Sequence, residues 1–287
     1  MEDIARLIVI GMGIGCIYGI IGLTLSVVLS STKVINIAQG EFATLGVLGY
    51  FFAVNVLHLA PWLSLLITLI VVASVGFVFN KLVIVDFLNS GASTLTTIIV
   101  TLTASFIMSG TMGILTGYKW LQIKPVFGYI PWKLGFIRIP PQYGFIIATT
   151  GVLALLYWVV LKKTNFGMAM RAVGFDRVSA ELVGVDSSRV TALSVVLSFG
   201  VAAIGGVLIA PLTVASASMG LPLLIKGFIA AVLGGINHPF GALVGGVIIG
   251  EMTTFASCYL VPGSGDLITF ILLLPILIIR PTGIFER

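Results

Sequence analysis

The sequence predicts an all-α, polytopic membrane bundle, and three observations carry that reading. Hydrophobic residues make up 59% of the 287 positions and charged ones only 9%, against roughly a quarter charged in soluble domains. Uncharged windows at 7–32, 42–80, 87–118, 139–161, 190–225 and 227–250, with a shorter one at 267–279, are mostly as long as the about 20 residues needed to cross hydrocarbon. Segments of that length must be helices, because an open sheet edge facing lipid would leave its backbone groups unpaired.

The first span is placed near 7–30. It has no basic segment ahead of it and is too long for the apolar core of a cleavable signal, so it is expected to remain in the protein. Gly11, Gly15 and Gly19 line one of its faces at helical spacing, which favours close helix packing over a path-lining role. The window 42–80 holds two spans, near 37–57 and 61–80, divided around His58 and Pro61, since proline disfavours helix in the residue before it. Later spans fall near 94–116, 141–161, 190–212, 223–250 and 264–280, the seventh reading either as one helix or as a broken pair. That makes about eight transmembrane helices, or nine with broken or re-entrant segments. Gly241 with Gly245 and Gly246 with Gly250 repeat the packing spacing late in the chain. Residues 1–287 read as a single transmembrane domain carrying one polar loop at 162–189.

That loop holds eight of the 25 charged side chains. Its Lys162, Lys163, Arg171, Arg177 and Arg189 form the largest basic set, which places it in the cytoplasm and the amino terminus outside. The 117–140 loop is then external despite Lys119, Lys124, Lys133 and Arg138. Three further spans would also leave Arg280 and Arg287 outside, unless a fourth crossing hides in 213–258. Within the loop, Asp176 is a suitable N-cap for about two helical turns over Arg177–Val183. Gly184 suits the left-handed position that ends them. Asp186 then caps the next span, with Ser187 and Ser188 in its first turn. Val178, Leu182 and Val183 fall near one face of the short helix, flanked by Arg177 and Glu181.

Ionisable residues at membrane depth cost about 2.5–3.5 kcal/mol on insertion scales and so point to function. Glu41, Lys226 and Glu251 are the examples here. Glu41 stands out, because Asn36, Gln39 and Gly40 beside it read as a broken or re-entrant helix start facing a cavity. Ile35-Asn36 with Gly40 has the same spacing as Ile236-Asn237 with Gly241, a faint echo of duplicated halves. Asn36, Gln39, Glu41, Thr44, Thr96 and Asn237 are therefore the candidate path residues, although a hydroxyl within a span can simply bond its own helix.

Other function classes are disfavoured. There is no GxxxxGK[ST] phosphate loop, no HExxH and no GxSxG serine paired with a histidine. Two cysteines and two histidines offer no metal spacing. A net charge of +5 is accounted for by basic cytoplasmic loops, so nucleic acid is not expected as a partner. An alternative that needs no partner is an ion-coupled secondary transporter or channel for a small polar solute, using Glu41 or Glu251.

The runs VINIAQGEFATLG, NFGMAMRAVGFDRVSAELVGVD and IKGFIAAVLGGINHPFGALVGGVIIG together resemble the permease subunits of ATP-binding-cassette importers for branched-chain amino acids, of the LivH type. The similarity runs from about residue 15 to about residue 280, in the family's order. Gln39 and Ile37 stand where the family more often has a histidine and an aromatic. The resemblance implies a translocation subunit of the bacterial or archaeal inner membrane that is no enzyme and carries no cofactor. ATP and Mg²⁺ would belong to two cytoplasmic ATPases, a second homologous permease would complete a heterodimer, and an extracytoplasmic binding protein would deliver the substrate. Ala172–Gly184 would be the coupling helix, with Arg171, Asp176, Arg177, Ala180, Glu181 and Gly184 serving contact with the ATPase.

Overall fold

Ten α-helices form the described part of the chain, in a computed structural model that describes residues 2–85, 93–125, 127–128, 130–134, 137–260 and 283–285, together with positions 267, 270, 271, 275 and 278. They are α1 (Glu2–Thr32), α2 (Gln39–Asn55), α3 (Pro61–Phe79), α4 (Thr94–Thr116) and α5 (Pro141–Lys163). After them come α6 (Asn165–Phe175), α7 (Arg177–Leu182), α8 (Ser187–Ile209), α9 (Gly220–Gly234) and α10 (Pro239–Tyr259). A π-helical turn over Asn80–Val85 continues α3. Among the described residues the two strands form a small antiparallel hairpin, β1 (Trp132–Leu134) with β2 (Ile137–Ile139), in the loop before α5.

The helix ends follow local chemistry. Proline opens α3, α5 and α10, where its missing N–H costs nothing. Ser93, Thr164, Asp176, Asp186 and His238 each accept a backbone N–H at a helix start. Among the described residues, six helical segments are long and apolar enough to cross a membrane. Helices α2 and α9, with 17 and 15 residues, extend only about 26 and 22 Å.

Helix α1 runs through the centre, packed on α10, α9, α8 and α5. Its glycine face does what its spacing predicts, because a side chain at Gly15 would fall 2.6 Å from the Gly246 carbonyl oxygen and from the Val247 Cα. Gly246 lies against Gly19, Gly250 against Gly15 and Glu251 against Gly11, so α1 and α10 run antiparallel with their backbones nearly touching. On the other flank Phe42 of α2 stacks on Phe199 of α8 with centroids 3.6 Å apart, and Phe79 meets both rings edge-on.

These contacts give the bundle two ends. Gly174 backs onto the Ser30 carbonyl, so the charged loop lies at the carboxyl end of α1. The 283–285 segment joins that end through Ile284 N–H to Leu233 O at 2.9 Å and Phe285 N–H to Gly234 O at 3.3 Å. Leu121 and Ala215 exchange backbone hydrogen bonds of 2.9 and 3.0 Å at the opposite end, joining the loops that follow α4 and α8.

The expected seventh span, 223–250, is the broken pair: α9 and α10 meet at a turn over 235–238 where Gly235 has φ 104°. The span expected at 264–280 lies outside the described residues apart from five single positions, all helical. The loop helix anticipated over Ala172–Gly184 is two helices, α6 and α7, because Asp176 adopts an extended conformation and restarts the chain as a cap. The second span starts only at Gln39, after the break at 33–38.

Candidate functional site

Two polar regions stand out among the described residues. The first is the break between α1 and α2. Lys33 adopts φ 58° and ends α1, and residues 34–36 are irregular before the chain turns into α2. Asn36 accepts the Ala38 N–H on Oδ1 at 3.0 Å, and Thr101 of α4 accepts the Ile37 N–H at 3.3 Å. Ser105, one turn further along α4, donates to Glu41 Oε1 at 3.0 Å. Asn36, Gln39, Glu41 and Thr44 are all essentially fully buried. The Asn36 Nδ2, both amide atoms of Gln39, Glu41 Oε2 and Thr44 Oγ1 have no hydrogen-bond partner among the described residues.

The amino terminus of α9 abuts this cluster. A side chain at Gly40 would overlap the Gly220 carbonyl, and one at Gly220 would fall 2.7 Å from both Glu41 Oε2 and Thr44 Oγ1. Helix α9 then divides two cavities. One of ≈ 230 Å³ is apolar apart from Asn36, with Leu25, Ile37, Leu224, Ile225 and Phe228 around it. The other, of ≈ 290 Å³, includes Tyr18, Lys226 and the hydroxyls of Thr213, Ser216 and Ser218.

The second polar region is the charged loop. Arg171 Nη1 donates to the Leu161 carbonyl at 3.0 Å and so caps α5. Asp176 accepts from the Val178 N–H at 3.0 Å and from the Ser179 hydroxyl, and the Ser179 bond foremost holds its carboxyl below the usual carboxylate range. Arg177 Nε reaches Glu181 Oε1 at 3.2 Å and Ser187 Oγ at 3.1 Å. Ser187 also donates to Glu181, and that bond, with Arg177 second, lowers the Glu181 pKa. Ala180 is buried, in the same apolar cluster as Leu23, Val27, Tyr157, Met170 and Val173. Gly184, at φ 86°, returns its N–H to Glu181 O at 3.0 Å and ends α7 in the left-handed conformation read from the sequence. Phe175, Val178, Leu182 and Val183 are left 94%, 66%, 83% and 78% exposed.

Four of the six candidate path residues, Asn36, Gln39, Glu41 and Thr44, are thus brought together. Two are placed elsewhere: Thr96 is exposed and pairs with Ser93 in the first turn of α4 at 2.9 Å, and Asn237 is exposed in the α9–α10 turn. Asn36 and Asn237 each precede a helix whose early glycine presses on α9, at Gly220 and at Gly234 respectively. Sequence reading missed Ser105 and Thr101, although Thr97, Thr101, Ser105 and Ser109 recur every four residues along α4. That period marks one polar helix face. Among the described residues no group of three or more histidine, cysteine or acidic side chains could hold a metal ion.

The family described as branched-chain amino acid transport system, permease component, matches residues 7–279. A probable branched-chain amino acid transport permease protein LivH of Methanocaldococcus jannaschii is 30% identical over 92% of this chain and 86% of its own. The high-affinity branched-chain amino acid permease LivH of Escherichia coli is 28% identical over 96% of this chain and 94% of its own. A nucleoside ABC transporter permease, NupC of Lactococcus lactis, is 28% identical over 69% and 64%. With the polytopic bundle and the motifs in order, this chain belongs to the branched-chain amino acid transport permease family and is a multi-pass transport subunit of an ABC importer in a bacterial or archaeal cell membrane, not an enzyme.

Proposed function

We propose that this permease carries branched-chain or other neutral amino acids inward, as one half of a heterodimeric pathway completed by a second, homologous permease. Permeases of ABC importers work with partner ATPases and a substrate-binding protein. ATP and Mg²⁺ are assigned to two cytoplasmic ATPases, and the charged loop is the surface on which one of them docks. The observation that carries this reading is the exposed apolar edge of α6–α7, formed by Phe175, Val178, Leu182 and Val183 on a loop that is otherwise charged. Such an edge costs free energy in water and gains it in a groove.

The polar residues assigned to coupling then act as braces. Arg171 ties α6 to the end of α5, the Asp176 cap fixes the start of α7, and Arg177 with Glu181 ties α7 to Ser187 at the start of α8. Only Val183, Gly184 and Val185 separate the end of α7 at Leu182 from the α8 cap Asp186, so there is little slack between docking edge and span. A push on α7 therefore moves α8 as a rigid handle. We assign the substrate path to Asn36, Gln39, Glu41 and Thr44, whose buried polar atoms, several without a partner among the described residues, suit a zwitterion passing through apolar surroundings.

Co-purification tests the docking. The ATPase pair should come down with the wild-type chain and be lost with Val178→Asp combined with Leu182→Asp, while both chains insert in the membrane equally well. Retention of the ATPases by the double variant would sink the assignment. The self-sufficient, ion-coupled alternative is not favoured by the family; proton-driven uptake by the purified chain alone in proteoliposomes would revive it.

A further inference from the structure

Lys226 lies in the middle of α9, in a run of apolar residues, and its placement is specific. Its Nζ donates to Tyr18 Oη at 3.2 Å and stands 5.2 Å from the centroid of that ring. Lys226 and Tyr18 both line the ≈ 290 Å³ cavity already described on one side of α9. The rim of that cavity is the 210–219 loop, where the Ser216 and Ser218 hydroxyls are 3.3 Å apart. The loop follows α8, whose 23 residues extend about 34 Å from the charged loop. The cavity therefore opens at the end opposite the ATPase edge. If that edge is cytoplasmic, the cavity opens where a binding protein releases its cargo.

A cation, hydroxyl donors and an aromatic ring around a cavity near the size of a small ligand site match one chemistry well. A carboxylate accepts charge-assisted hydrogen bonds from an ammonium and ordinary ones from hydroxyls. The apolar remainder of the lining, with Met219 and Leu223, suits an aliphatic side chain. We infer that this cavity is the receiving site of the permease, in which Lys226, Ser216 and Ser218 take the α-carboxylate of the incoming amino acid. The inference rests on the proposed neutral amino-acid cargo, and it assigns that cargo's first contact to residues outside the Asn36–Thr44 cluster. The first turn of α9 lies between the two, with Met219 lining the cavity and Gly220 touching Glu41 and Thr44.

The test uses the full chain in phosphatidylcholine nanodiscs and saturation-transfer NMR. The probes are 4-methylpentanoate, which has the carboxylate and aliphatic tail of leucine without its ammonium, and the matching amide. The carboxylate should bind at least about tenfold better than the amide. Its signal should vanish in Lys226→Met, weaken in Ser216→Ala with Ser218→Ala, and persist in Lys226→Arg. Equal binding of acid and amide, or an unchanged signal in both Lys226→Met and the serine pair, overturns the inference. So does loss of the signal when phosphatidylglycerol is added, which would make a lipid phosphate the occupant. Leucine uptake by the complete importer is read separately. Wild-type failure to import leucine or any other neutral amino acid defeats the cargo reading, whereas the cavity assignment stands or falls on the probe. Import with an apparent KM unchanged in Lys226→Met defeats the cavity assignment alone.

Discussion

In residues 164–189 polar side chains are answered locally, whereas in residues 36–44 they are buried and several have no partner among the described residues. Thr164, Asp176 and Asp186 cap three successive helices, and Arg177 joins Glu181 and Ser187. Gln39 and Thr44 have no such arrangement although neither is exposed. A group in the loop could fall back on water if its bond broke, and a group in the break could not. The loop is thus built to keep its shape in the open. The break keeps polar atoms in reserve where each one carries a cost.

The largest effect is expected where the two regions differ most in space. Leucine at Gly40 would drive a side chain into the Gly220 carbonyl and the Leu224 Cβ. The nearest of these atoms is a backbone carbonyl, which no rotamer change can move, and the cost should exceed the about 1–3 kcal/mol of ordinary overpacking. Gly40→Leu should therefore yield no monodisperse peak in detergent size-exclusion. Gly184→Ala faces open space, and its φ of 86° should cost only about 1 kcal/mol, leaving the peak intact. Equal behaviour of the two variants would erase the contrast.

A narrower test separates support from transport within the break. Glu41→Ala strands the Ser105 hydroxyl and opens a void, which should lower stability by about 2–4 kcal/mol. Glu41→Gln keeps the shape and an acceptor for Ser105. It should retain the thermal transition of the wild type while uptake by the complete importer falls about tenfold, if the carboxylate serves the path. Normal uptake in Glu41→Gln would leave that side chain a structural role only.

The loop was the more legible of the two in sequence, for a physical reason. Caps act over three residues, so Asp176, Gly184 and Asp186 announce α7 and the start of α8 by themselves. The separate helix α6 was not legible, because the family resemblance draws one coupling helix over Ala172–Gly184, across the cap at Asp176. The break was legible as a place, since amides, a glycine and a carboxylate do not collect in a plain span. Its partners were not. Thr101 and Ser105 lie 64 residues from Ile37 and Glu41 respectively, and no local rule links them. Thr96, the candidate on the same helix, lies at its exposed end. The fold class needed only length and hydropathy, while 223–250 stayed readable either as one helix or as the broken pair it is, because the turn at Gly235 adds no charge.

An intermediate effect is expected at the brace between docking edge and span. Glu181→Arg sets a cation beside Arg177 and takes the acceptor from Ser187. Gly184→Pro removes the N–H that closes α7 and demands a φ near −65° where the chain has 86°. Both variants should insert normally and keep the break intact, yet stimulation of ATPase activity by loaded binding protein should fall together with uptake. Wild-type uptake with normal stimulation in both would mean that the brace transmits nothing.

The smallest effect is one of pH, and its sign follows from the side on which each pKa moves. Asp176 and Glu181 are held below the ordinary carboxylate range, by Ser179 and by Ser187 with Arg177. A depressed folded-state pKa contributes stability that is fully present above the unfolded value and is lost as pH falls through the folded one. The α7 caps should therefore be intact at neutral pH and loosen only in the acid range, below about pH 4. Hydrogen exchange corrected for its intrinsic pH dependence should then show the Val178 and Ala180 amides losing protection while those in the middle of α8 keep theirs. Asp176→Asn retains an N-cap that cannot titrate, so it should remove the Asp176 share of this loss and leave the share that belongs to Glu181. If the variant loses protection over the same range as the wild type, Glu181 alone governs the opening, and the brace to Ser187 outweighs the cap in holding the docking edge to α8.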